Sequence, residues 1–131
     1  MKIIADTNVL LRAIVGDDAK QGMAAIEATT KAETVAVSLH ALCEMVWVLH
    51  RRYDTSRADI ASTVRLLLRT QNVQLNRPAV EAGLAMLDMG GDFADGVIAY
   101  EGQWLGGEIF VSFDQKAVAA LNAQGKAARL L

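Results

Sequence analysis

Apolar positions along this chain alternate between two spacings, one typical of strands and one typical of helices. Short apolar runs rich in β-branched residues predict five strands, at about residues 2–5, 34–37, 73–75, 108–113 and 127–131. Between them, apolar residues recur three and four positions apart and predict helices at about 9–14, 18–31, 38–49, 56–70, 77–89, 92–100 and 114–123. The first run, at the very start of the sequence, is apolar enough to predict a strand buried on both faces.

The order of these elements predicts the fold class. Strands that alternate with helices form parallel sheets, because a connection between parallel neighbours needs a crossover, usually a helix. We therefore expect an α/β protein, a three-layer α/β/α sandwich with a mainly parallel sheet of roughly five strands. No internal repeat, low-complexity segment or long linker divides the sequence, so residues 1–131 are expected to form a single domain.

Composition adds two expectations. Of all residues, 53% are hydrophobic, and the mean hydropathy is +0.24, which predicts a large core or an apolar surface that meets a partner. In particular, the apolar run 45–49 is longer than one helix face can bury, and it predicts a homodimer that forms through helix surface. No apolar run reaches the roughly 18 residues of a membrane span, and no signal-peptide pattern is present, so a cytoplasmic location without membrane attachment is expected.

Charge is unevenly distributed, although the net charge is only −2. Between Arg51 and Arg77 the chain has six arginines (51, 52, 57, 65, 69 and 77) and two acids, Asp54 and Asp59. This basic stretch has two explanations, namely contact with an anionic partner and ordinary solvated helix faces.

Four acids stand where strands end or helices begin. Asp6 follows the first strand, Asp95 lies at the start of a predicted helix, and Asp114 follows the fourth strand. Capping of a helix explains each aspartate taken alone, but it explains neither the choice of Asp over Asn or Ser nor the fourth acid, Glu44. Every other residue of 41–49 is apolar, so Glu44 is expected to be buried and to need a partner.

Taken together, these acids predict a metal site. The carboxyl ends of parallel strands converge, and carboxylates gathered in one crevice repel each other unless a divalent cation neutralises them. Oxygen ligands favour Mg²⁺ or Mn²⁺, and such ions usually act on phosphates. His40 and His50 flank Glu44 without a ligand-like partner and are expected to pack or to lie at the surface. Phosphate-binding glycine loops of nucleoside triphosphatases are absent from the sequence.

Four segments resemble a known family in order and spacing. They are Asp6-Thr7-Asn8, the stretch around Glu44, the Asp92–Ala99 segment with Asp95, and Ser112-Phe113-Asp114. Together they are similar to PIN domains, in particular to the VapC toxins of type II toxin–antitoxin pairs. The resemblance implies a Mg²⁺- or Mn²⁺-dependent ribonuclease with Asp6, Glu44, Asp95 and Asp114 as its catalytic and metal-binding residues. It further implies an RNA substrate, a cognate antitoxin and a homodimer, and it leaves the role of Asp92 open between helix cap and ligand.

Two other classes of protein remain as alternatives. A PIN-like module that has lost catalysis and only binds protein or nucleic acid would have the same fold, although the intact set of acids argues against it. A signalling receiver domain would need paired acids after the first strand and a lysine after a late strand. The sequence supplies neither.

Overall fold

The computed structural model describes all residues, Met1–Leu131. The strands are β1 (Lys2–Ile4), β2 (Thr34–Ala36), β3 (Val73–Gln74), β4 (Phe110–Ser112) and β5 (Ala128–Leu130). The helices are α1 (Thr7–Ile14), α2 (Ala19–Lys31), α3 (Leu39–Arg51), α4 (Arg57–Arg69), α5 (Arg77–Asp88), α6 (Phe93–Trp104) and α7 (Gln115–Ala123). No helix is both long enough and apolar enough to cross a membrane.

All strand pairs are parallel, which confirms the predicted α/β class. Hydrogen bonds group the five strands into two sheets, one with the order β1-β2-β3 and one of β4 and β5. In the first sheet, Ile3 is aligned with Val35, and Val35 with Val73. In the second, Val111 is aligned with Arg129.

The prediction that the first strand is buried on both faces is wrong. Ile3 is partly buried, but Ile4 is 85% exposed. β1 lies at the edge of its sheet and has β2 as its only strand neighbour, so it lacks the cover that a central strand receives on both sides.

Contacts between Cα atoms divide the chain into two compact units. The first contains residues 1–55 and 65–76, and the second contains residues 56–64 and 77–131. In the first unit, α1 packs on α2 and α3 beside the three-stranded sheet. The second unit has a core in which Met86 of α5 meets Ala117, Ala120 and Leu121 of α7, with Phe110 of β4 packed against them.

Aspartate and serine side chains begin the helices, because they accept hydrogen bonds from backbone N–H groups that have no partner inside the helix. Asp18 begins α2 by accepting from the N–H of Gln21 at 2.9 Å, and Ser38 begins α3 by accepting from that of Ala41 at 3.1 Å. These caps fix where α2 and α3 begin. They therefore position the side chains of the first helical turns.

The tightest helix contact is the crossing of α5 and α6 in the second unit. Gly96 of α6 lies so close to the backbone of α5 that a Cβ atom on it would collide with the carbonyl oxygen of Ala82. At Gly83 of α5, a Cβ atom would stand 2.6 Å from the ring of Phe93. Glycine is thus required at both positions for close approach, which explains a glycine inside α6 despite its low helix propensity.

Candidate functional site

Asp6 lies just beyond the carboxyl end of β1 and begins α1. Its Oδ1 atom accepts a hydrogen bond from the N–H of Val9 at 2.9 Å. The hydrogen bonds between β1 and β2 continue up to the residue before Asp6, since the N–H of Ala5 donates to the carbonyl of Ala36 at 3.1 Å. The carboxylate is exposed, and its position is fixed by the strand before it and the helix after it.

Asp114 repeats this arrangement in the second unit. It begins α7 after β4, and its Oδ1 atom accepts from the N–H groups of Lys116 and Ala117 at 2.9 and 3.2 Å. The N–H of Asp114 itself donates to the hydroxyl of Ser112 at 2.9 Å. Ser112 therefore holds the turn that carries this acid. The Ser-Phe-Asp motif points to Ser112, although its bond to Asp114 could not be read from the sequence.

Asp95 differs from these two acids because it does not begin a helix. The cap of α6 is Asp92, which accepts from the N–H of Ala94 at 3.2 Å, and Asp95 lies in the first turn after it, partly buried. Burial raises the pKa of the Asp95 carboxyl group, and the negative charges of Asp92 and Asp114 raise it further. In the second unit, the charges of two carboxylates thus act on Asp95. For Asp92, the structure shows the role of a helix cap.

Glu44 is not buried, so that prediction is wrong. Its side chain is 54% exposed, and its Oε1 atom lies 2.8 Å from Nε2 of His40, one turn earlier in α3. One side of α3 is buried (Ala41, Leu42, Met45, Val46 and Leu49), whereas Glu44 lies on the other side. The apolar run suggested burial all round, but a helix beside one sheet buries one stripe and leaves the rest in solvent.

The structure brings the candidate acids together only in part. Asp6 and Glu44 belong to the first unit, and Asp95 and Asp114 belong to the second. No group of three or more His, Cys, Asp or Glu side chains stands in an arrangement that could hold a metal ion. A groove of about 730 Å³ in the first unit is lined by residues of α1, α2 and α4, among others, and by none of the four acids.

The donor chemistry nevertheless suits a hard divalent cation. All four candidates are carboxylates, and the caps of Asp6 and Asp114 use Oδ1 alone, so that Oδ2 of each makes no hydrogen bond in the structure. A carboxylate that is held by one oxygen presents the other in a fixed direction. The burial of Asp95 and the repulsion that Asp92 and Asp114 exert on it are the electrostatic strain that a bound cation would relieve.

The basic stretch separates into arginines with different partners. Arg57 donates to the carbonyls of Gly91 at 2.7 Å and Gly90 at 2.8 Å, and so closes the end of α5. Arg77 forms an ion pair of 3.8 Å with Glu81. The guanidinium of Arg51 lies over the ring of Trp47, 5.8 Å from its centroid. The partners of Arg57 lie more than 30 positions away along the chain, so no local sequence pattern could indicate this contact.

Most of the chain resembles one known family. The sequence profile of the PIN domain matches residues 3–120, which include residues of both compact units. No protein with a curated description matches the chain. The match covers most of the sequence and confirms the PIN-like α/β/α fold that the four segments predicted. The chain therefore belongs to the PIN domain family, whose fold is generally that of a metal-dependent nuclease.

Proposed function

We propose that residues 1–131 act as one PIN domain, a Mg²⁺- or Mn²⁺-dependent ribonuclease that is the toxin of a toxin–antitoxin pair. Its metal ligands are Asp6, Glu44, Asp95 and Asp114, its substrate is RNA, and a cognate antitoxin inhibits it. The observation that carries this proposal is the pair of caps: Asp6 and Asp114 each follow a parallel strand, begin a helix with Oδ1 and leave Oδ2 without a hydrogen bond.

Each acid has a part that follows from its position. Asp6 and Asp114 are held by backbone N–H groups and keep their direction. The pKa of Asp95 is raised by burial and by its acidic neighbours, so a neighbouring positive charge would stabilise its ionised form strongly. Glu44 pairs with His40 at the surface, and it can exchange that partner at little cost, because even a fully charged pair at the surface contributes only about 0–1 kcal/mol.

A divalent ion, when bound, would supply the positive charge that activates water and stabilises the phosphate oxygens. PIN nuclease domains typically use such ions. RNA also has to approach acids that repel its backbone, so basic groups outside the acid set are needed to hold the strand. Arg51 and Arg52, at the end of the helix that carries Glu44, are the proposed groups.

The first test replaces Asp6 with Asn. Because Asn begins helices as well as Asp does, Asp6→Asn should keep the fold and its melting temperature without metal. It should abolish the cleavage of single-stranded RNA and also the rise in melting temperature that Mg²⁺ or Mn²⁺ gives the wild type through binding to the native state. Glu44→Gln should reduce that rise.

The control is Asp18→Asn. Asp18 begins α2 with the same bond, at 2.9 Å, and is no candidate ligand, so this variant should keep both cleavage and the metal response. Equal losses in the two variants would mean that capping alone explains Asp6. A wild type that binds RNA but cleaves neither RNA nor DNA of the same sequence, with either metal, would support the binding-only alternative instead.

Inhibition by an antitoxin has its own test. Expression of the chain alone should arrest bacterial growth, and co-expression of the small protein encoded beside its gene should restore growth. The Asp6→Asn protein should be harmless yet still bind that partner. Growth arrest by Asp6→Asn equal to that of the wild type would separate toxicity from nuclease activity and contradict the proposal.

A further inference from the structure

One stripe of α3 is exposed and chemically unlike the rest of the helix. His40, Glu44, Trp47 and Arg51 follow one another at spacings of four, three and four residues, which places them on one face. All four are exposed, whereas Met45, Val46 and Leu49 fill the buried side. Trp47 is the aromatic residue of this stripe, and its side of the helix also holds the candidate ligand Glu44.

The position of Trp47 is unusual for so large an apolar side chain. It is 58% exposed, although tryptophan is highly buried on average. The guanidinium of Arg51, one turn later, lies over one face of the indole, 5.8 Å from the ring centroid. This is within the range of a cation–π contact, which limits the motion of the ring. A flat aromatic surface is therefore held in place and still open to solvent.

The neighbours of Trp47 favour a nucleic-acid base as its occupant. A protein partner or a second copy of the chain would bury a continuous apolar patch, but the stripe surrounds the indole with Glu44, His40 and Arg51. Isolated aromatic rings beside cationic groups are typical of surfaces that bind single-stranded nucleic acid, where bases stack and cations hold phosphates. Arg51 and Arg52 give this end of α3 its cationic groups.

We propose that Trp47, held by Arg51, stacks on an unpaired base of single-stranded RNA and so positions the strand beside Glu44. The inference rests on the proposed ribonuclease function and narrows its substrate to RNA with at least one unstacked base near the cleaved bond. Trp47 is a positioning residue, three residues and thus about 4.5 Å of helix rise after Glu44. Paired RNA, whose bases are stacked inside a duplex, does not meet this requirement.

Tryptophan fluorescence tests the stacking directly, because the chain has only two tryptophans. Trp104→Phe leaves Trp47 as the single reporter, and the added Asp6→Asn change keeps the RNA intact. A short unstructured RNA should quench this fluorescence, whereas a duplex of the same sequence and an abasic strand with the same backbone should not. In the matched control, Trp47→Phe with Asp6→Asn, the remaining Trp104 should not respond.

Measurements of RNA binding and cleavage give the size of the contribution that Trp47 makes. Trp47→Ala should weaken the binding of single-stranded RNA roughly 5- to 150-fold, the usual range for one stacked base, while Trp47→Phe should keep most of the affinity. In the otherwise wild-type enzyme, Trp47→Ala should raise KM for single-stranded RNA far more than it lowers kcat. Arg51→Gln should weaken binding and flatten its dependence on salt by about one unit of slope.

Three results would overturn the inference. They are equal quenching by the abasic strand, unchanged RNA affinity in Trp47→Ala, and a Trp47 signal that follows protein concentration without RNA, which would assign this face to self-association. The proposed function fails separately, if the wild type does not cleave RNA with either metal. Base-dependent quenching of Trp47 in such a protein would support the stacking surface and contradict the proposed nuclease activity.

Discussion

Among single residues, the aspartates of this PIN domain have an observed role as helix caps and a proposed role as metal ligands, and substitutions can separate the two. Asp6, Asp92 and Asp114 all begin helices, a role that Asn fills equally well. Asp95 begins none and sits partly buried between negative charges. Changes from Asp to Asn therefore remove charge and leave the helix starts intact, whereas changes to Ala would confuse a lost cap with a lost ligand.

Asp95→Asn should stabilise the metal-free protein at neutral pH. The pKa of Asp95 is raised in the folded state, first by burial and then by Asp92 and Asp114. Such a group stabilises the folded state at pH values below the pKa that it has in the unfolded chain. This contribution to stability is lost as the pH rises through the pKa that the group has in the folded protein. The variant should thus be the more stable protein at neutral pH, and its advantage should shrink as pH falls toward about 4.

Urea unfolding of both proteins at several pH values, in chelator, measures this difference. Asp18→Asn is the control, since Asp18 is a partly buried cap of another helix, in the unit that does not contain Asp95. An advantage of Asp95→Asn that does not change with pH would contradict the electrostatic explanation.

At the scale of secondary-structure elements, the contact between α5 and α6 depends on glycine. Gly96→Ala should destabilise the protein by about 1–3 kcal/mol, because the new methyl group collides with the backbone at Ala82 and the two helices must move apart. Helix propensity alone predicts the opposite sign, a gain of up to about 1 kcal/mol. Thermal or urea unfolding decides between them.

Gly102 of the same helix provides the matched control. A Cβ atom there would meet nothing within 4 Å, so Gly102→Ala should be neutral or slightly stabilising. If both variants were stabilised alike, the close approach of α5 and α6 would be excluded. Asp95 lies one residue before Gly96, so a shift of α6 in Gly96→Ala should also weaken the metal response.

At the scale of the whole molecule, the predicted homodimer needs a different surface from the run 45–49. The fold itself buries Met45, Val46 and Leu49, which removes most of that argument. Apolar surface remains on α2, where Met23 is 72% and Ile26 51% exposed, three residues apart on one face. A dimer formed through α2 would cover this surface.

Light scattering at micromolar concentration should therefore give the mass of a dimer, and Met23→Glu with Ile26→Glu should give that of a monomer. Leu66→Glu, a charge placed on the exposed apolar Leu66 of α4, should leave the mass unchanged. A monomeric wild type would contradict the homodimer, and a dimeric Met23→Glu, Ile26→Glu protein would exclude α2 as its interface.

Local structure follows from short-range patterns in the sequence. All seven helices and five strands lie where spacing and caps predicted them, because the residues that begin α2, α3 and α7 act within three positions of their own place in the chain. The order of elements gave the α/β class, and four short segments gave the family. These features depend on neighbours in sequence, so sequence patterns contain them.

Which side of each element is buried depends on contacts that exist only in the folded chain. The apolar run around Glu44 looks the same whether one stripe of α3 or its whole circumference is covered. Elements distant in sequence cover only one stripe of α3, and Glu44 and Trp47 lie outside it. In the same way, the place of β1 in its sheet left Ile4 in solvent. A side chain at position 96 would collide with the backbone of Ala82, where α6 crosses α5. The spacing of apolar residues in the sequence does not indicate this close approach.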